Sequence, residues 1–153
     1  MEHKRSPSPD IPQTPEAALA RVQSYVQADA FVRQMGMELV DAGLGYAVLR
    51  MTPGAAHMNF YGMLHGGVTF ALADAAFGFA CNSYGERSPA IGNYITFFRP
   101  GTAGEPLTAT ARRISASRKL ATYHVEVTNA AGEMVATLSG TCFLTGRPVE
   151  LPT

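Results

Sequence analysis

A single carboxylate stands in the middle of an otherwise apolar and small-residue stretch. Residues 66–83 read GGVTFALADAAFGFACNS, and Asp74 is their one charged residue. Burying an unpaired charge costs several kcal/mol or more, so a sequence that keeps one there points to function. A carboxylate in such surroundings is suited to act as a general base or as a nucleophile.

The two glycines that open this stretch offer a second chemical group. If the stretch is a helix, Gly66 and Gly67 are its first residues, and their backbone N–H groups have no partner within the helix. The positive end of the helix dipole lies at the same place. Glycine also lets a ligand approach the backbone closely. A helix start of this kind is suited to polarise a carbonyl oxygen.

The elements that must hold these groups follow from the pattern of the chain. The stretch 66–83 is apolar on every side, which predicts a helix buried on all sides. A first helix is predicted from Pro15, with Thr14 as its N-cap and an apolar face reaching Phe31. Alternation and turn residues predict six strands: 38–41, 46–51, 90–99, 107–114, 120–128 and 134–144. No helix separates the later strands, so we expect an α+β fold with a curved antiparallel sheet around one long helix.

The length predicts one domain. The chain has 153 residues, enough for one real hydrophobic core. Residues 1–15, with four prolines among serines and charges, are expected to form a disordered leader. The domain is predicted over 16–147, followed by a C-terminal tail at 148–153.

Composition narrows the class of partner. Lysine plus arginine and aspartate plus glutamate both number 12, which argues against a nucleic-acid binder. A hydrophobic share of 46% against 16% charged residues favours a buried subunit interface. The long apolar stretch is interrupted by Asp74, which argues against a membrane span.

The cysteines and the N-terminus bear on location. Cys81 and Cys142 lie far apart in apolar runs and form no CxxC pair, so reduced thiols in a cytoplasmic protein are expected. Residues 1–15 have neither the apolar core nor the small-residue cleavage site of a secretory signal.

Two longer motifs resemble a known family. HGGVTFALADAAFGFACNSYG at 65–85 and NYITFFRPGTAGEPLTATAR at 93–112 are similar to the PaaI-type branch of the hot-dog thioesterases, which act in phenylacetic acid degradation. The resemblance covers roughly residues 35–145. It implies a hot-dog fold and hydrolysis of an aryl or medium-chain acyl-CoA thioester.

The resemblance also implies site residues. Asp74 matches the family's catalytic aspartate, and the Gly66 N–H matches the donor that polarises the carbonyl. Asn59 matches the asparagine that orients the thioester or the water, and His65 matches the motif histidine with a positioning role. Some relatives carry a serine or threonine early in the following strand, where this chain has Ala90 or Ile91. Asn93 and Ser88 are the candidates to replace it.

Geometry demands a second subunit. Gly66 and Asp74 are eight residues apart, about 12 Å along a helix. Both must come within roughly 3 Å of one carbonyl group, which a single helix cannot arrange. Two antiparallel copies of the helix across a two-fold axis would bring them together. A homodimer with shared sites is therefore expected, and the resemblance implies two such sites and a homotetramer built from dimers.

The coenzyme A part of the substrate would bring phosphates. Besides Gly67 and Asn93, the candidate substrate-binding residues are the basic ones at strand ends and turns: Arg99, Arg112, Arg118 and Lys119. Solvated strand-end charges are the alternative interpretation for each of them. His3, His57 and His124 show no ligand spacing, so no metal and no separate cofactor is predicted.

Two other functions remain open. A non-catalytic acyl-CoA-binding protein on the same fold is the alternative, although the set of Asn59, Gly66 and Asp74 argues against it. A hydratase of the same fold would want a histidine beside the acid, and His65 is nine residues away. Asp74 itself could instead be a buried structural carboxylate.

Overall fold

The computed structural model describes residues 10–153 as six strands and three α-helices. The strands match the predicted ones to within a few residues, and the helix that carries Asp74 begins at the predicted glycine. The elements in chain order are α1 (Pro15–Ala28), α2 (Ala30–Gln34), β1 (Glu38–Gly43), β2 (Tyr46–Met51), α3 (Gly66–Asn82), β3 (Ala90–Phe97), β4 (Leu107–Ala116), β5 (Leu120–Thr128) and β6 (Met134–Phe143).

The first helix is divided, which the apolar face had not indicated. Thr14 caps α1 as predicted, accepting a hydrogen bond from the Ala17 N–H at 3.1 Å. The helix then ends at Ala28, because Asp29 adopts an extended conformation and caps α2 through the Val32 N–H at 3.0 Å. The expectation of one helix reaching Phe31 is therefore wrong, since a capping aspartate starts a new helix there.

The strands form one antiparallel sheet with the order β1-β2-β4-β5-β6-β3. The predicted glycine turn joins β1 to β2, and Gly45 there has a φ of +68°, a conformation that favours glycine. β3 pairs with β6 on one side only, and no strand within residues 10–153 covers its other edge. The predicted antiparallel sheet around one long helix is confirmed.

The helix α3 packs across the sheet, in contact with β2, β4, β5, β6 and β3. Leu72 and Phe77 are fully buried, and the Phe77 ring meets Tyr123 of β5 edge-on at 5.6 Å between centroids. A stripe that contains Asp74 and Gly78 is only half-buried in the single chain. The prediction that α3 is buried on all sides is therefore wrong for a single subunit, because the sheet covers only part of the helix.

Both ends of the described chain pack against the C-terminal end of α3 and the residues directly after it. The Gln13 side-chain N–H donates to the Tyr84 carbonyl at 3.0 Å, and the Arg21 guanidinium donates to the Pro12 carbonyl at 2.8 Å. The Val149 N–H donates to the Gly85 carbonyl at 3.0 Å. The prediction of disorder is therefore wrong for residues 10–15, which belong to the folded unit. The C-terminal tail at 148–153 lies against the same unit. Residues 1–9 of the predicted leader lie outside the described part.

Both cysteines are buried and carry free thiols. Burial, together with the neighbouring Cys142, raises the pKa of the Cys81 thiol above its ordinary value. Within residues 10–153, no helix combines the length and the apolar character needed to cross a membrane.

Candidate active site

The Asp74 carboxylate is held by one side chain from the edge strand. Asn93 in β3 donates a hydrogen bond from Nδ2 to Asp74 Oδ1 at 2.6 Å, and both residues are half-buried. A donor at that oxygen fixes the plane of the carboxylate. The other oxygen, Oδ2, has no hydrogen-bond partner among residues 10–153 and is free to meet a water or a substrate.

The neighbouring strand makes room for this contact. Gly140 in β6 lies opposite Asn93, and a Cβ at Gly140 would stand 2.8 Å from Asn93 Oδ1 and 2.8 Å from the Phe77 ring. Asn93 Oδ1 is itself buried, with no partner in the described chain. Leaving a buried acceptor unpaired costs about 1–3 kcal/mol, so this amide is oriented for Asp74 at the expense of its own oxygen.

The support from Gly140 was not predicted from the sequence. A lone glycine inside a strand indicates a close approach of another group, and Gly140 is the one glycine within 134–143. That signal was present, but it does not say which side chain makes the approach.

Ser88, the other candidate partner for the water, has a structural role. Its N–H donates to Asn82 Oδ1 at 2.9 Å, and its hydroxyl donates to the Glu86 carbonyl at 2.9 Å. These bonds tie the end of α3 to the loop that follows. Ser88 is buried and no hydrogen bond joins it to Asp74 in the described chain, whereas Asn93 donates to that carboxylate directly.

The start of α3 differs from the prediction at one glycine. His65 caps the helix, and its Nδ1 accepts the Gly67 N–H at 2.9 Å. The expectation that Gly67 offers a free donor to the substrate is therefore wrong, because the capping histidine occupies it. The Gly66 N–H has no partner within residues 10–153 and remains available. His65 thus caps the start of α3.

Asn59 organises the loop that precedes α3. Its Oδ1 accepts the backbone N–H groups of Tyr61 at 3.2 Å and Met63 at 2.9 Å. An isolated bridge between Met58 and Leu64 closes the loop. The Asn59 NH₂ group donates to no residue in the described chain, so it is available to a ligand or to a partner subunit.

Within one chain these groups do not meet at one point. Gly66 and Asp74 lie on the same helix, about 12 Å apart along its axis. No hydrogen bond within residues 10–153 joins Asn59, His65 or Gly66 to Asp74. The structure therefore brings Asn93 to Asp74 and leaves the helix start as a separate group.

A large apolar surface adjoins both groups. The Phe60 side chain at the loop tip is 97% exposed, and Tyr94 on the open edge of β3 is 74% exposed. Five further large apolar side chains are exposed on the same loop and strand or directly after it: Tyr61, Met63, Ile91, Phe97 and Phe98. A concentration of exposed apolar side chains of this kind on a folded domain marks an interaction surface.

The basic candidates for the coenzyme A phosphates are dispersed. The Arg99 guanidinium pairs with Glu133 at 2.5 Å, and hydrogen bonds from Asn129 and then Arg99 hold the pKa of the Glu133 carboxyl below its ordinary value. The Arg99 backbone N–H donates to the Val135 carbonyl in β6, whereas the Lys119 carbonyl accepts the Leu144 N–H directly after β6. These points are about 30 Å apart along a strand, so one phosphate cannot meet both in one chain.

The remaining basic candidates lie on the sheet and its turn. The Arg112 guanidinium lies over the Tyr46 ring at 4.5 Å from the centroid. Arg118 lies in the β4–β5 turn beside Lys119, whose Nζ is 5.8 Å from the centroid of the Phe143 ring. Among residues 10–153, no three His, Cys, Asp or Glu side chains come together as metal ligands.

Comparison with known proteins identifies relatives along most of the chain. The family model of the thioesterase superfamily matches residues 61–136. The acyl-coenzyme A thioesterase PaaI of Escherichia coli K12 is 38% identical over 123 residues, covering 80% of this chain and 88% of that protein. The human acyl-coenzyme A thioesterase 13 is 30% identical over 119 residues, covering 75% of this chain and 85% of that protein.

Solved structures of similar proteins point to the same family. The E. coli PaaI structure superposes with a TM-score of 0.86 at 33% identity, covering 89% of this chain and 99% of that one. A protein from Streptococcus mutans, solved with acetyl-CoA bound, gives a TM-score of 0.71 at 26% identity, covering 74% of this chain and 91% of that one. The chain has the hot-dog fold and belongs to the thioesterase superfamily.

Proposed function

We propose that this protein is an acyl-CoA thioesterase that hydrolyses aryl thioesters of the phenylacetyl or hydroxyphenylacetyl type, or medium-chain ones. The observation that carries the proposal is the half-buried Asp74, held by Asn93 with its second oxygen free, on a helix whose first N–H is also free among the described residues. The E. coli and human relatives named above, which are acyl-CoA thioesterases, support it.

In this mechanism the thioester carbonyl carbon is attacked in one of two ways. Either a water attacks it while Asp74 takes a proton from that water, or the Asp74 carboxylate attacks it directly. The Gly66 N–H donates to the carbonyl oxygen, which becomes an oxyanion as the new bond forms. Collapse of the tetrahedral intermediate breaks the carbon–sulfur bond. With water as the nucleophile, the proton that Asp74 took passes to the thiolate, so coenzyme A leaves as a thiol and the acyl group leaves as the acid, which ionises to a carboxylate. With Asp74 as the nucleophile, coenzyme A leaves first and the acyl group stays on Asp74 as a mixed anhydride, which a water molecule then hydrolyses to release the carboxylate and restore Asp74.

The same proposal requires two subunits at each site. Since Gly66 and Asp74 are about 12 Å apart on one helix, the Gly66 of one subunit serves the Asp74 of its partner. The open edge of β3 and the exposed loop at 59–64 are the surfaces that pair. We propose a homodimer with two shared sites, assembled further into a homotetramer.

We also propose that the enzyme is cytoplasmic. Two buried thiols without a disulfide are what a reducing compartment maintains. Neither a metal nor a further cofactor takes part, since coenzyme A arrives with the substrate.

The test is thiol release from a panel of acyl-CoAs, followed with a disulfide reagent. The panel contains acetyl-, hexanoyl-, phenylacetyl- and hydroxyphenylacetyl-CoA. We expect the highest kcat/KM with the aryl members. If no thiol is released from any member while phenylacetyl-CoA still raises the melting temperature, the protein is an acyl-CoA-binding module without catalysis, and the proposal fails.

Replacing Asn93 by alanine is expected to lower kcat by up to about 100-fold with little change in KM. The Asn93 amide orients the attacking carboxylate, and a misplacement of about 1 Å at the reacting group has an effect of this size. Steady-state kinetics on phenylacetyl-CoA measure both constants.

The matched control for this variant is Ser88→Ala. The Ser88 hydroxyl bonds to the Glu86 carbonyl and leaves Asp74 untouched, so kcat should stay within about twofold of the wild type. Equal losses of kcat in the two variants, or a loss confined to Ser88→Ala, would refute the role assigned to Asn93.

A further inference from the structure

A cavity of about 380 Å³ opens beside Asp74 and runs along α3 toward its C-terminal end. On the helix it is lined by Asp74, Ala75, Gly78, Phe79 and Asn82. Asp74, Gly78 and Asn82 are spaced by four residues and so share one face. The cavity therefore extends from the carboxylate for about 12 Å along the helix axis.

The opposite walls come from both ends of the folded chain. Tyr25 and Ala28 of α1 form one wall, and Val149, Leu151 and Pro152 of the C-terminal segment form the other. That segment is fixed by the Val149 N–H to the Gly85 carbonyl at 3.0 Å and by a bridge between Glu86 and Pro148. These two walls are thus built by segments that lie outside the stretch matched by the family model.

The lining suits an apolar group and not a phosphate. No lysine or arginine of the described chain lines the cavity, and of its two carboxylates Asp29 is occupied in capping α2. Asn82 at the far end is also occupied, since its Nδ2 donates to the Gly78 carbonyl at 2.8 Å and its Oδ1 accepts the Ser88 N–H. The phosphates of coenzyme A would find no cation among these lining residues.

Gly78 forms the floor of the cavity. Apart from residues 77 and 79 and the adjacent backbone of α3, a Cβ built at Gly78 has no atom of the described chain within 4 Å, and the backbone there is ordinary helix. Glycine inside a helix is destabilising by about 1 kcal/mol relative to alanine. Glycine at this position therefore leaves the cavity open at the cost of some helix stability.

We infer that this cavity holds the acyl group of the thioester and that Gly78 sets the size of acyl group accepted. This inference rests on the proposed function and specifies the substrate class of the same site. With the thioester carbonyl at Asp74, the acyl group extends along α3 over Gly78 toward Tyr25 and Leu151. A dry cavity of ~150 Å³ is enough to hold benzene, so this one has room for a phenyl ring and its linking methylene.

The test compares Gly78→Leu with the wild type on phenylacetyl-CoA and acetyl-CoA. We expect the ratio of kcat/KM for phenylacetyl-CoA over acetyl-CoA to fall at least about tenfold, as a filled apolar pocket discriminates by that much. Gly78→Ala should lower the ratio in the same direction by less, and it serves if the leucine variant does not fold. Ala20→Leu adds the same side chain at an exposed position of α1 and should leave the ratio unchanged.

A binding measurement separates the acyl site from the chemistry. The thioether analogue phenacyl-CoA should bind the wild type more tightly than free coenzyme A does, and Gly78→Leu should abolish that difference. An unchanged kcat/KM ratio and an unchanged binding difference in a folded Gly78 variant would overturn the inference while leaving the thioesterase proposal intact. A wild type that hydrolyses no member of the acyl-CoA panel would instead refute the proposed function, and phenacyl-CoA binding would then test the acyl site by itself.

Discussion

Replacing Asp74 by asparagine is expected to lower kcat by about 10²- to 10⁴-fold, the range typical of losing a positioned general base. The substitution is nearly isosteric and removes the charge that activates the water or attacks the carbonyl. The new amide keeps a side-chain oxygen to which Asn93 can still donate, so the local hydrogen bond survives. The melting temperature and the oligomeric mass should therefore match those of the wild type.

Asp41→Asn is the matched control for this prediction. Asp41 is an exposed carboxylate on β1 whose one hydrogen bond within the described chain is from the adjacent Ala42 N–H at 2.9 Å. Thiol release by this variant should be unchanged. Hydrolysis at the wild-type rate by Asp74→Asn would exclude the mechanism, and an equal loss in both variants would trace the effect to a general loss of charge.

Replacing Gly66 by proline is expected to lower kcat by about 10²- to 10³-fold, the usual cost of removing one oxyanion donor. Proline lacks the N–H, and it is well tolerated at the first position of a helix. His65 before it already adopts the extended conformation that a following proline requires, with φ −62° and ψ 129°. The substitution therefore removes the donor with little effect on the helix.

Gly66→Ala separates the donor from the added bulk. It keeps the N–H, and its Cβ would stand 3.3 Å from the Phe97 ring, a contact that the proline variant shares. We expect the alanine variant to retain most of the activity. If both variants lose activity equally, the effect comes from the contact with Phe97, and the Gly66 N–H is not the donor.

Mixing the two inactive variants tests whether the site spans subunits. Asp74→Asn and Gly66→Pro chains are co-expressed with different tags, and the heterodimers are purified on both tags. In a shared site one of the two sites of each heterodimer combines an intact Gly66 with an intact Asp74, so activity returns. If both groups came from one chain, every site would carry a defect and no activity would return.

The sequence determined the elements because their signals are local. The alternation of small and apolar residues over 107–114 and 120–128 predicted strands that the structure contains at nearly the same bounds. The run of apolar residues after Gly66 predicted the long helix, and a lone charge within it marked Asp74. The two motifs at 65–85 and 93–112 carried the resemblance to the thioesterase family, which the relatives confirm.

Only the tertiary structure decided what surrounds Asp74. Asn93 is 19 residues away and reaches Asp74 through the pairing of β3 with β6, opposite Gly140, a contact that no periodicity encodes. The same holds for the cavity over Gly78, whose walls come from α1 and from residues 149–152, at the two ends of the chain. Local spacing specifies which residues face one way on one element, whereas contacts between elements depend on how all of them pack together. The sequence therefore identified the helix that carries the candidate catalytic carboxylate, and the packing of β3, α1 and the C-terminal segment against it determined the environment of that carboxylate.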